Sequence, residues 1–215
     1  MEQASAPSNL SARDLARARL AQHLSRRHEA GLALADDADR VARACHAMAA
    51  RFHRGGKLIV FGNGGPSTDA QHVAVEFVHP VIVGKRALPA ISLTNDVATI
   101  TGVANASGFD QTFAHQLRYL ASANDIAIGI SADGNCPSVL RALELAHVMK
   151  LLTVAMIGHE GGAIARNASV DFAFIARSAD PFVVKEIQVT TYHILWELVH
   201  VFFEQPGVLE PGFLK

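Results

Sequence analysis

The sequence predicts an α/β protein: a three-layer α/β sandwich built on a five-stranded parallel sheet. Two observations carry that expectation. Short, continuous apolar runs such as Ile126-Ala127-Ile128-Gly129-Ile130 recur along the chain, and runs without polar alternation mark strands buried on both faces, as parallel strands are. Between them lie longer stretches of helical periodicity, and regular alternation of strand and helix places helices on both faces of one sheet.

The elements follow in order. Residues 1–9 read as a loose tail. Ser11 caps a helix running to about Arg27. The acidic Asp36-Asp37-Ala38-Asp39 cluster suits the positive end of a second helix. Val41, Cys45, Met48 and Phe52 form its apolar stripe, and Gly55-Gly56 ends it. Residues 10–55 are thus expected to form an N-terminal helical hairpin, 56–204 the α/β core and 205–215 a C-terminal tail. Strands are expected at 57–61, 89–93, 125–130, 151–157 and 171–176. Helices are expected near 67–78, 96–104, 110–121, 136–149 and 161–167, with a last helix over 181–204. That last helix carries an apolar stripe of Ile187, Thr191, Ile194, Leu198 and Val201.

Composition narrows the function. Of 215 residues, half are hydrophobic and 18% are charged, which suits a filled core rather than a disordered chain. Nineteen basic and twenty acidic residues leave no net field to attract nucleic acid or an anionic membrane. Cys45 and Cys136 form neither a zinc spacing nor a disulfide framework, which suits a cytoplasmic protein. No apolar run reaches the ~18 residues that span a bilayer. The start, Met1 to Pro7, lacks the pattern of a secretion signal.

The most informative segment is the turn Gly62-Asn63-Gly64-Gly65 between the strand Lys57–Phe61 and a helix carrying His72 and Glu76. A strand that turns sharply into a helix puts that turn at the carboxyl edge of a sheet, where α/β proteins bind ligands. His72 and Glu76 stand four apart, on one helical face. By spacing alone they are better read as a surface pair; the turn, together with the match at His193 described below, favours a site. Of the eleven histidines, His79 and His200 read as helix-end or packing residues.

Three segments in order resemble the sugar isomerase (SIS) domain family, in its phosphoheptose isomerase branch. They are Gly62–Gly65 with Asp69, His72 and Glu76; the run Ile130-Ser131-Ala132-Asp133-Gly134-Asn135; and Glu186-Ile187 followed by His193-Ile194-Leu195. Pro89-Ala90-Ile91 with Asn95-Asp96, and Gly108-Phe109, also match. The resemblance covers about residues 10 to 204. It implies a homotetramer with sites at subunit contacts and a sugar or sugar-phosphate ligand. It implies a catalytic pair of Glu76 and His193, and zinc held by His72, Glu76, His193 and a glutamine of the final helix. Asn63, Gly64, Ser67, Asp96, Ser131, Asp133 and Asn135 become the substrate-binding candidates, and no nucleotide cofactor is expected.

That pair suits aldose–ketose isomerisation. A carbon-bound proton moves between adjacent carbons through an enediol, so one group takes it and another serves the oxygen. Glu76 is the expected base and His193 the acid.

The chain also departs from the pattern. Pro66 replaces a phosphate-binding serine, with Ser67 beside it, and Ala132, Asp133 and Cys136 replace hydroxyl residues of the second loop. Asp133 can take the loop's donors as an N-cap. At about 4–5 Å and an effective dielectric near 20, it would also repel a phosphate by several kcal/mol. Lys185 stands where the glutamine ligand is expected; it either pairs with Glu76 or points to solvent. Ala106 and Val183 replace an acid and a base. Three functions follow: an isomerase-like enzyme for a sugar derivative with no phosphate or a differently held one; a sedoheptulose 7-phosphate isomerase that uses Ser67, Ser131 and loop N–H groups instead; or a non-catalytic SIS regulatory scaffold of the DnaA-binding type.

Overall fold

A computed structural model describes residues 11–205 and 207–209. The expected tails at 1–9 and 205–215 lie wholly or largely outside the described residues.

The sheet holds β1 (Leu58–Gly62), β2 (Ala90–Ser92), β3 (Ile126–Ser131), β4 (Leu152–Gly158) and β5 (Phe172–Ala176), in the order β2-β1-β3-β4-β5. All four pairings are parallel, with Leu58 opposite both Ala90 and Ile126. The sheet starts at β1, one strand in from an edge, adds β2 at that edge, and returns past β1 to add β3, β4 and β5 on the other side. The carboxyl ends of β1 and β3 therefore flank a topological switch point, where the crossovers depart to opposite sides and leave a crevice.

Strand side chains alternate between two cores. Leu58, Val60, Ile128, Ile130, Val154 and Met156 face a layer made by α2 (Ala38–His53), α3 (Gly65–Val78) and α8 (Pro181–Glu204). Ile59, Phe61, Ala127, Ala155 and Ile157 face α5 (Thr112–Leu120), α6 (Pro137–Val148) and the single turn α7 (Gly162–Ala165). These runs read as continuously apolar because each face meets helices. Gly129 is required by closeness: a Cβ there would lie 2.8 Å from Val139 Cγ1 of α6.

The element reading holds, with boundary corrections. The first helix, α1 (Ala12–Ala35), does not stop at Arg27. Ser11 caps it through Asp14 N–H, but no proline or capping glycine breaks it at Arg27. Only Asp36 and Asp37 separate it from α2, so the expected hairpin is a pair joined by the shortest of connections. Both helices pack on α8. The helix expected at 96–104 is α4 (Val97–Ser107), followed by a 3-10 turn at Phe109–Gln111. The helix expected over 161–167 shrinks to one turn, because Gly161 and Gly162 both take positive φ. In α8, Ile187 and Thr191 are buried, but Val201 is exposed. The buried face runs instead through Val184, Gln188, Tyr192, Leu195 and Val199. No helix among the described residues is long and apolar enough to cross a membrane.

Candidate active site

Two turns at the carboxyl edge and one long helix build the site. After β1, Gly64 adopts φ 66°, ψ −127°, open to glycine at little cost, and ends the strand at once. Pro66 sits in the first turn of α3, where its missing N–H would have no helical partner anyway. The expected substitute hydroxyl, Ser67, is engaged: its Oγ donates to Gly64 O at 2.6 Å. Asn63 reaches across the switch point, donating from Nδ2 to Ser138 Oγ at 2.6 Å and to Cys136 Sγ at 3.1 Å.

The loop after β3 is closed on itself. Ser131 Oγ accepts from Gly134 N–H at 3.0 Å and donates to Asp133 Oδ1 at 3.3 Å. Asp133 Oδ1 also accepts from Asn135 N–H at 2.9 Å. Asn135 Oδ1 takes the N–H of Ala163, tying this loop to the next one. Gly134 (φ 75°) allows that approach, since a Cβ there would lie 2.0 Å from Gly161 O. Asp133 is thus not the helix N-cap expected from the sequence. Pro137 starts α6, Cys136 occupies the cap position without a side-chain capping bond, and Asp133 turns the loop three residues before it.

The reacting groups lie between α3 and α8, which run side by side in register. Lys185 pairs with Asp69, the Tyr192 hydroxyl meets His72, and Trp196 Nε1–H donates to Glu76 O. His193, one residue past Tyr192, places Nε2 2.9 Å from Glu76 Oε1, and His72 Nε2 lies 3.4 Å from the same oxygen. Ligand atoms of all three residues fall within 4.8 Å of one another. Glu76 is largely shielded, while both imidazoles are about half exposed. A cavity of about 240 Å³ opens on Glu76 and His193, with Val81, Ile82 and Trp196 among its walls. Exposed imidazoles beside a shielded carboxylate give donors to a ligand and an acceptor held in a drier place.

Lys185 takes neither position expected of it. Its Nζ lies 2.6 Å from Asp69 Oδ1, not on Glu76 and not free in solvent. Asp69 is buried and its second oxygen has no partner, so the local field of that carboxylate captures the ammonium. Burial, then the charges of Asp69 and Glu76, push the Tyr192 phenol well above its ordinary value, so its O–H stays intact.

Asp96 stands apart from the cluster. It caps α4 by accepting from Thr99 N–H at 3.0 Å and lines a different cleft of about 560 Å³ with Gln71, Val75 and Asn95. That cleft is larger, but no imidazole–carboxylate pair lines it. His200 is structural, as expected: its ring nitrogens meet Trp196 O and Arg86 O. Sequence reasoning passed over Tyr192, Trp196 and Asp69 as site-building residues. The signal for the first two was present: Lys185, Tyr192 and Trp196 recur at steps of seven and four, one helical face.

The protein is thus a doubly wound α/β protein with a 2-1-3-4-5 parallel sheet that holds an imidazole–carboxylate cluster between α3 and α8. The SIS domain family model matches residues 27–158, and this chain belongs to that family. Within it, the chain is closely related to the phosphoheptose isomerases. It is 40% identical over 165 residues to the phosphoheptose isomerase of Desulfovibrio desulfuricans, covering 76% of this chain and 78% of that one. It is 42% identical over 148 residues to that of Pelobacter propionicus, covering 69% and 77%. Among solved structures, the phosphoheptose isomerase of Francisella tularensis superposes with a TM-score of 0.79 at 30% identity, covering 86% of this chain and 98% of that chain. That of Neisseria gonorrhoeae superposes with a TM-score of 0.77 at 27% identity, covering 85% and 97%.

Proposed function

We propose that this chain is an aldose–ketose isomerase acting on a ketose or ketose phosphate, with Glu76 as the base and His193 as the acid. The observation that carries the reading is the 2.9 Å contact between His193 Nε2 and Glu76 Oε1 at the mouth of a cavity. Glu76 takes the proton from the carbon beside the carbonyl, and His193 serves the oxygen, giving the enediol. Reversing the two transfers on the neighbouring carbon completes the isomerisation. Relatives named phosphoheptose isomerase support a seven-carbon sugar phosphate as the first substrate to try.

The donor set also fits a divalent ion. His72, Glu76 and His193 offer two nitrogens and a carboxylate oxygen, a set that zinc accepts with an open position. When bound, zinc supplies a Lewis acid for the carbonyl oxygen. Lys185 is not part of that set, because Asp69 holds it.

The recognition end of the ligand follows from the closed loop after β3. Asp133 and Ser131 satisfy each other and the backbone N–H groups of Gly134 and Asn135. A phosphate there would meet a carboxylate and few free donors, so the chain favours a ligand whose far end is neutral and rich in hydroxyls. The family likeness supports a homotetramer completing the site.

Proton NMR in D₂O tests the reading, with sedoheptulose 7-phosphate and the unphosphorylated ketose as probes. Deuterium should enter at the carbon beside the carbonyl in the native protein and not in Glu76→Gln. If neither sugar nor a panel of other ketoses exchanges, the isomerase reading fails and the non-catalytic scaffold replaces it.

A further inference from the structure

The residue that carries an unassigned role is Tyr192. It is 1% exposed, yet its hydroxyl lies 2.7 Å from His72 Nδ1. Its ring stands edge-on to His72 at 5.5 Å between centroids and to His193 at 4.7 Å. A buried phenol keeps its hydroxyl hydrogen-bonded, and His72 is the partner this one meets.

We propose that Tyr192 is the positioning residue of the cluster, and that its hydroxyl sets which nitrogen of His72 carries the proton. The inference rests on the reading of His72, Glu76 and His193 as the working cluster. A neutral imidazole has one donor nitrogen and one acceptor nitrogen. With its O–H donated to Nδ1, Tyr192 leaves the proton on Nε2, directed at Glu76 Oε1. A phenol can also turn its hydrogen away and accept. Nδ1–H then donates to the phenolic oxygen, and Nε2 presents a lone pair to the space shared with Glu76 and His193.

A main-chain carbonyl or a carboxylate at this place could only accept, and would hold His72 in the second form permanently. Tyr192 supports both forms with the same ring geometry. His72 can therefore serve as a hydrogen-bond donor to Glu76 without a metal and as a ligand with one. The neighbouring register contacts, Lys185 on Asp69 and Trp196 on Glu76 O, keep α8 from sliding along α3 as the hydrogen moves.

Tyr192→Phe is the test, because phenylalanine keeps both edge-on ring contacts and removes only the hydroxyl. Nitrogen-15 NMR of the full-length, metal-free protein, about two units above the ordinary imidazole pKa of ~6.5, reads the tautomer directly. His72→Gln assigns the signal by its loss. The native protein should show one dominant form with the proton on Nε2, converting to the Nδ1–H form on saturation with zinc. Tyr192→Phe should show a mixture without metal, and zinc affinity by calorimetry should fall about 10–100-fold, the usual effect of losing a ligand's outer hydrogen bond.

Unchanged tautomer ratio and unchanged zinc affinity in Tyr192→Phe overturn the proposal. If that variant does not fold, the native spectrum decides: an even mixture of the two forms without metal also overturns it. Neither readout requires turnover, so a failure of the isomerase reading and a failure of this one are separable.

Discussion

The seam between α3 and α8 and the loop after β3 line separate cavities and differ in what they leave available. In the seam, Glu76, His72 and His193 direct their functional atoms at one another and at a cavity. In the loop, Ser131, Asp133 and Asn135 bind one another and the backbone. Groups that chemistry requires are thus open, while groups that would grip an anion are spent internally. A site can keep its reacting end while its recognition end changes, because the two are built on separate elements with separate hydrogen-bond networks.

The comparison breaks most visibly at Glu76. Removing the carboxylate's charge with Glu76→Gln should lower deuterium exchange about 10²–10⁴-fold, the usual contribution of a positioned base. Exchange that persists would move the reacting end elsewhere.

Lys185 tests how the seam is held. Lys185→Ala leaves the buried Asp69 carboxylate with neither oxygen paired. Urea unfolding should show a loss of about 1–3 kcal/mol, less than for a wholly buried pair because Lys185 is nearly half exposed. No loss would mean that water replaces the ammonium.

The loop half is sharpened by Asp133→Ser. Removing the carboxylate frees Asn135 N–H and ends the repulsion of an anion. Sedoheptulose 7-phosphate should bind about tenfold more tightly by calorimetry, an effect of ~1.4 kcal/mol, and the unphosphorylated ketose should gain nothing. Equal gains for both would show that this loop does not contact the phosphate end.

The smallest effect belongs to Asp96, outside both regions. The Thr99 hydroxyl, then the Thr99 backbone N–H, hold its carboxyl below the usual range. A depressed folded value contributes stability that is present above the unfolded pKa of ~3.9 and is lost as pH falls through the folded value. Thr99→Val should raise the Asp96 value toward ~3.9 in a carboxyl NMR titration, with little change in the cluster.

The strands and the last helix were legible because burial on both faces writes itself as continuous apolar sequence, as in Ile126–Ile130. His72 and Glu76 were legible because helical spacing is local. The second half of the cluster was not: nothing in spacing ties His193 to Glu76, and only the family resemblance supplied it. Lys185 shows the limit best. Its partner lies over a hundred positions away, and which carboxylate wins depends on α3–α8 register, which no local pattern records. The early stop assigned to α1 at Arg27 failed for the opposite reason. An exposed helix shows little periodicity, so its end left no apolar pattern to read. Asp133 does take a loop donor, the N–H of Asn135, but not as the N-cap of α6, because Pro137 fixes where α6 begins.

The parallel register of α3 and α8 also governs timing. Glu76 and His193 sit on segments that leave the ribosome far apart, and α8 is the last helix described. Until it docks, Glu76 lacks His193 beside it and β4 lacks the cover of Val184 and Tyr192. A nascent chain ending at Ala176 carries the whole sheet, His72 and Glu76, but not His193. The His72–Glu76–His193 cluster is therefore completed only with the final act of folding.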